Sequence, residues 1–175
     1  MDKINILDYS LSADEMMQLN PDALLITYDE LNKIFDINDL FNKTKSNKII
    51  ILYLLRSRSY GHWTCLFKDR FNKINFYDSY GKPLDYHLDN LSIFQRIEYD
   101  ELTNRLKELL EPHDVYFNNI ILQGPHTKTC GMHVCHRLHN YHLTGKEYVD
   151  KMLKKDVENP DIYVAEYTMK LLNKI

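Results

Sequence analysis

Cys130 is followed by Gly131, and a glutamine precedes it with six residues between: Gln123-Gly124-Pro125-His126-Thr127-Lys128-Thr129-Cys130-Gly131. If Cys130 stands in the first turn of a helix, backbone amides point at its sulfur and the helix dipole favours negative charge there. Both effects lower a thiol's pKa and raise its thiolate fraction. Gly131 places no side chain beside the sulfur, so a substrate carbonyl can approach. Thr127 or Thr129 is placed to cap such a helix. Taken alone, the cysteine is an ordinary core residue. At 100° per residue Cys130, Val134, Leu138 and Tyr141 share one face, and free cysteines are commonly buried. Its companions change the reading. A thiol nucleophile needs a general base, and the base needs a third group to fix its tautomer. His62, in Gly61-His62-Trp63, opens a strand after a flexible turn. Asp78 closes the following strand in Phe76-Tyr77-Asp78-Ser79-Tyr80-Gly81. A hairpin would bring the two strand ends onto neighbouring rungs, with the aspartate reaching the imidazole. Gln123 ends a later strand, where its amide can donate to an oxyanion beside the backbone amide of Cys130. The chemistry these residues suit is acyl transfer through a thioester. Cys65 and Cys135 read as structural.

A second constellation points elsewhere. His133, His136, His139 and His142 recur every three residues, and Cys135 with His139 has ligand spacing. A step of three drifts about 60° per histidine, so the four wind around a helix. Cys135, His139 and His142 do fall within about 60°, which keeps a zinc-binding interaction module as a remote alternative. There is no second cysteine pair, and neither a metal nor a cofactor is expected. His126 precedes Cys130 and reads as solvent-exposed. His87 and His113 fall in expected loops. Lys128 and Arg137 either add positive charge near the thiolate or line a solvated face.

The elements that would hold these residues follow from hydrophobic spacing. Residues 14–18 and 29–41 read as helices, the second carrying Leu31, Ile34, Phe35, Leu40 and Phe41. Residues 49–55 read as a buried strand, 62–68 and 73–77 as the next two, and 115–122 as another. Residues 43–48 and 56–61 read as loop or turn. The stripe of Leu102, Leu106, Leu109 and Leu110 predicts a helix over 99–110, closed by Glu111-Pro112. Further helices fit 130–141, 146–154 and 163–172. Helices flank a run of strands, so the class is α+β; a doubly wound sheet would alternate more regularly.

Composition bounds the function class. The 175 residues fit a single domain, 1–175, with 44% hydrophobic residues able to fill a core and 27% charged residues arguing against disorder. A net charge of -3 demands neither a nucleic-acid nor a membrane partner. The best apolar run is strand-sized, and the first twenty residues lack the pattern of a signal peptide. Three cysteines without framework spacing suit a reducing compartment.

Gly61-His62-Trp63, the Asp78-Ser79-Tyr80-Gly81 turn, and Gln123 with Cys130-Gly131, in that order, resemble the adenain/Ulp1-like clan of cysteine proteases. Papain-like enzymes run Gln, Cys, His, Asn instead. The glutamine-to-cysteine spacing resembles adenovirus proteases, while the segment from Ile51 through Phe67 is closer to maturation proteases of virophages (Sputnik-type) and large DNA viruses. The resemblance covers residues 49 to about 141. It implies a papain-like/Ulp1-like fold, a central mixed sheet flanked by helices with the nucleophile at the N-terminus of a central helix. It also implies His62 as base, Asp78 as its partner, Gln123 as oxyanion donor, Cys130 as nucleophile, and Trp63 packed beside the scissile bond. The activity implied is that of a viral endopeptidase cutting capsid or core precursors in the host cytoplasm and the virion. By the same analogy an activating peptide or DNA is a possible partner. A ubiquitin- or SUMO-type isopeptidase and an acyltransferase effector are the alternatives within the clan.

Overall fold

The computed structural model describes residues 5–57, 60–89, 91 and 104–175. Its spine is a five-stranded mixed sheet in sequence order: β1 (Leu24–Thr27), β2 (Lys48–Ser57), β3 (Tyr60–Lys68), β4 (Ile74–Tyr77) and β5 (Val115–Phe117). β2, β3 and β4 form an antiparallel meander, and the two outer strands pair in parallel, β1 with β2 and β5 with β4. The alternation of side chains along a strand divides the core in two. Ile49, Ile51, Tyr53, Leu66 and Phe76 face one cluster, closed by α2 (Ile37–Lys43), α3 (Tyr86–Asp89) and α4 (Arg105–Leu110). Ile50, Trp63, Cys65, Phe67 and Tyr77 face the other. There α5 (Cys130–His139) packs on β3 and on α7 (Pro160–Leu171), with α6 (Gly145–Met152) and α1 (Ala13–Leu19) around them. The expected α+β class, with the cysteine opening a central helix, is the fold observed.

Local chemistry accounts for the element ends. Ser12 and Glu15 form a capping box on α1, as Thr144 and Glu147 do on α6. The helix expected over 29–41 is two pieces, a 3-10 segment Tyr28–Lys33 and then α2. Ile34 is extended and Asp36 caps α2 afresh through the amide of Asn38, so Phe35 leaves the helical stripe and is 90% exposed. β1 was not expected: four residues are too few to show a period. The strand expected over 115–122 stops at Phe117, because Asn118 turns inward and its amide donates to the carbonyls of Asp78 and Ile120. The helix expected over 99–110 is seen as α4; residues 99–103 lie outside the described residues. The last helix begins at Pro160, three residues before the expected start, with Asn159 capping Asp161 and Ile162.

Candidate active site

The hairpin of β3 and β4 does what the sequence requires of it. Tyr77 pairs with Cys65 on the last rung of the β3–β4 ladder, so Asp78 leaves β4 beside the stretch of β3 that carries His62. His62 Nε2 lies 3.0 Å from Asp78 Oδ1, and Nε2 is thereby the nitrogen that donates to the carboxylate. The Asp78 side chain is fully buried and also accepts from the backbone amide of Tyr80 at 2.8 Å. Gly81 closes that turn with φ +62, and a Cβ there would sit 2.8 Å from the backbone of Ile120. A side chain at position 81 would therefore displace the loop that holds Asp78. The Tyr80 ring stacks on His62, centroids 5.1 Å apart, and fixes the imidazole plane.

Cys130 occupies the first position of α5, and its sulfur interacts with the His62 ring and with the backbone amides of Trp63 and Gly131. Burial alone would raise the thiol's pKa, but the His62 hydrogen bond and charge and those two amides outweigh it, leaving the pKa below the ordinary thiol value. The imidazole is the mirror case. Burial disfavours its charged form, and the Asp78 charge and hydrogen bond, with the Cys130 sulfur, hold it well above the usual histidine range. Burial likewise disfavours the Asp78 carboxylate, yet His62 and then His87 hold it below the usual range. The three shifts thus all run toward one charge pattern: carboxylate at Asp78, imidazolium at His62 and thiolate at Cys130. Cys65 and Cys135 have no such partner. Burial drives the Cys65 thiol far above its ordinary value and pushes Cys135 up to about 12, as structural cysteines should behave.

Gln123 is buried, and its amide orientation follows from its partners. The Ser79 hydroxyl lies 2.6 Å from Oε1, and Nε2 donates to the Thr127 carbonyl at 3.0 Å. A carbonyl only accepts, so Nε2 must face that way, and its second N–H is left for the cleft. The Ser79 carbonyl also accepts from the amides of Leu122 and Gln123, which ties the Asp78 turn to the glutamine. His62, Trp63, Gln123 and Cys130 line one cleft of about 360 Å³. Its far wall is Ser10 to Ala13, part of the N-terminal segment outside the resemblance. Trp63 is held there by its Nε1–H, which donates to the Leu11 carbonyl at 3.2 Å. Gly131 is buried rather than part of the cleft lining. A Cβ would stand 3.1 Å from Met16 Sδ and Trp63 Cδ1, so the glycine also serves close packing of α5 against these side chains.

Two participants were not singled out in the sequence. His87, on the short helix α3, lies with Nε2 2.6 Å from Asp78 Oδ2, so the carboxylate carries an imidazole on each oxygen. Asp161, in the first turn of α7, gathers the loop before Cys130. Its Oδ2 accepts from the Gly124 amide at 2.7 Å, and its Oδ1 accepts from the Thr129 hydroxyl and from His133 Nε2 at 2.9 Å. Burial holds His133 below the ordinary histidine pKa even beside this carboxylate, so it donates as a neutral ring. The Asn159-Pro160-Asp161 run is a helix-start signal that marks this position. Nothing in the residues around His87 marks it. The remaining histidines of the second constellation do not converge. His136 meets the Tyr148 hydroxyl at 2.8 Å, His139 meets Tyr167 and the Leu19 carbonyl, and Cys135 meets the Asn20 amide.

No protein-family model matches the chain. Among solved structures, ChlaDub1 from Chlamydia trachomatis superposes with a TM-score of 0.46 at 13% identity, over 98% of this chain and 94% of that one; a likeness this loose says nothing about activity. A protein of Sputnik virophage, named as uncharacterized protein V9, is 30% identical over 167 residues, which span 89% of this chain and 91% of the virophage protein. The kinship with virophage proteins expected from the motifs is thus found along nearly the whole length. The chain belongs to the family of Sputnik virophage protein V9.

Proposed function

We propose that this protein is a cysteine protease of the adenain/Ulp1-like clan, cutting capsid or core precursors of a virus in the host cytoplasm and the maturing virion. The observation that carries the reading is the unbroken chain Asp78, His62, Cys130 at one cleft, with the Gln123 amide beside it. The Cys130 thiolate attacks the substrate carbonyl carbon, forming a C–S bond while the carbonyl electrons move to oxygen. That oxyanion is held by the free N–H of Gln123 and the amide of Cys130. Collapse breaks the C–N bond, and His62 gives the leaving amine its Nδ1 proton, Nε2 being held by Asp78. Neutral His62 then takes a proton from water as the water oxygen attacks the thioester. The C–S bond breaks, and thiolate and imidazolium are restored.

The virophage kinship supports a viral setting, and the acyl-transfer geometry supports proteolysis over a binding role. The charge of -3 gives no support to a DNA activator. The test is incubation of the purified protein with the capsid and core precursors of the source virus, followed by N-terminal sequencing of products, in parallel with a reactive ubiquitin C-terminal probe. Discrete cleavage of precursors, absent with Cys130→Ala, is expected. Labelling by the ubiquitin probe with precursors left intact would replace the maturation role by an isopeptidase one. Acetyl transfer from acetyl-CoA without cleavage would replace it by an acyltransferase.

A further inference from the structure

We propose that His62, Asp78 and His87 form a regulatory site for a divalent transition metal, best suited to zinc, whose occupation reversibly disables Cys130. Among the described residues these are the three His, Cys, Asp or Glu side chains whose ligand atoms all lie within 4.8 Å of one another. Two imidazole nitrogens and a carboxylate oxygen are zinc's ordinary ligands, with bond lengths of about 2.0–2.2 Å, which sets donors in a tetrahedral site roughly 3.3 Å apart. His62 Nε2 is 3.0 Å from one carboxylate oxygen and His87 Nε2 is 2.6 Å from the other, so small movements of the side chains bring the donors to that spacing. The imidazole ring centroids are 4.3 Å apart. Both rings line the cleft, which gives an ion a path in and leaves water a coordination position. In the acyl-transfer chemistry His87 touches no reacting atom and only supports the Asp78 carboxylate, whereas a two-histidine, one-carboxylate site requires it.

Occupation would exchange hydrogen bonds for metal bonds. Each imidazole presents an Nε2 lone pair to the ion, and protons held at those nitrogens pass to solvent. His62 loses its imidazolium character, and Asp78 no longer orients it. Cys130 then faces a metal-bound imidazole whose remaining Nδ1 proton is far less acidic than an imidazolium's, so protonation of the leaving amine fails. A chelator restores the free groups, so no residue is consumed. The inhibitory consequence rests on the acyl-transfer reading; the binding of the ion does not.

The two are separated by measuring binding in the full-length Cys130→Ala protein, which has no thiolate at the site. Calorimetric titration with zinc chloride is expected to show one ion per chain, and His87→Gln in that background should weaken it by about 10–100-fold or more. Cobalt(II) should give visible d–d bands without a thiolate charge-transfer band. Nitrogen-15 NMR of the imidazoles, which needs no His87 variant, should show His62 and His87 shifting together as zinc is added. Zinc affinity unchanged in the His87 variant, no saturable binding once Cys130 is alanine, or imidazole signals of His62 and His87 unmoved by zinc would each overturn the site.

Discussion

Cys130→Ala is expected to lower kcat/KM on a cleaved peptide by at least about 10⁴-fold, because the nucleophile and the groups that activate it act as a unit. The fold should survive: Cys130 is only half-buried, and Asp78 still pairs with His62. Cys65→Ala and Cys135→Ala should instead keep activity and lose about 1 kcal/mol of stability, as small truncations in a packed core do. Cys65 faces the core from mid-strand, and Cys135 touches the Asn20 amide and Met16, both away from the cleft. Peptide hydrolysis by the three variants, with thermal melts alongside, checks this contrast.

The second large effect is on stability. Asp161→Ala is expected to cost about 3–5 kcal/mol, since it strips a buried carboxylate from partners that cannot find others. The Gly124 amide, the Thr129 hydroxyl and His133 Nε2 all converge on it. Denaturant melts of the variant measure the loss. Asp161 is a positioning residue, acting through the loop that carries Gln123 and Cys130. Asp161→Asn separates that role from mere stability. It keeps the volume but turns an NH2 group toward donors, so the loop shifts while the domain folds. Turnover should fall by about 10²-fold, the scale of a 1 Å misplacement, while alkylation of Cys130, which depends on His62, persists. The wild-type interaction also carries a pH signature. The partners of Asp161 hold its pKa below the ordinary value, so its contribution to stability is present above the unfolded carboxylate pKa of about 3.9. It is lost as pH falls through the folded value. The variants should therefore lose less stability than wild type on acidification.

Of the four residues singled out by type and order, His62, Gln123 and Cys130 line one cleft and Asp78 is buried behind His62, and the reason is physical. Each needs a particular local setting that leaves a trace in sequence: a helix start for Cys130, strand ends for His62 and Asp78, a Gly-Pro break after Gln123. His87 leaves no trace, because its position depends on how α3 packs across the Asp78 turn, a contact nine residues away along a polar stretch. Asp161 acts across 32 residues on Cys130's neighbour Thr129 and 37 on Gly124, beyond any local period, although its helix cap was readable. The split of residues 29–41 follows from Asp36, whose capping preference competes with the apolar stripe and wins. The short β1 and β5 are defined by pairing to β2 and β4 rather than by their own residues. Gly131 stood out beside Cys130, but two of the three side chains crowded against it, Leu11 and Met16, lie in the N-terminal segment that the motifs do not reach.

If His62 and Asp78 hold Cys130 as a thiolate, its reactivity must report it. The most direct measurement needs no substrate: the pH dependence of iodoacetamide alkylation, followed by peptide mass spectrometry at all three cysteines. Rapid modification is expected at Cys130 alone, persisting well below pH 8.5, the ordinary thiol pKa, and moving back toward that value in His62→Ala. Modification of Cys130 that follows an ordinary thiol titration in the wild-type protein, or that is unchanged by the loss of His62, would contradict it.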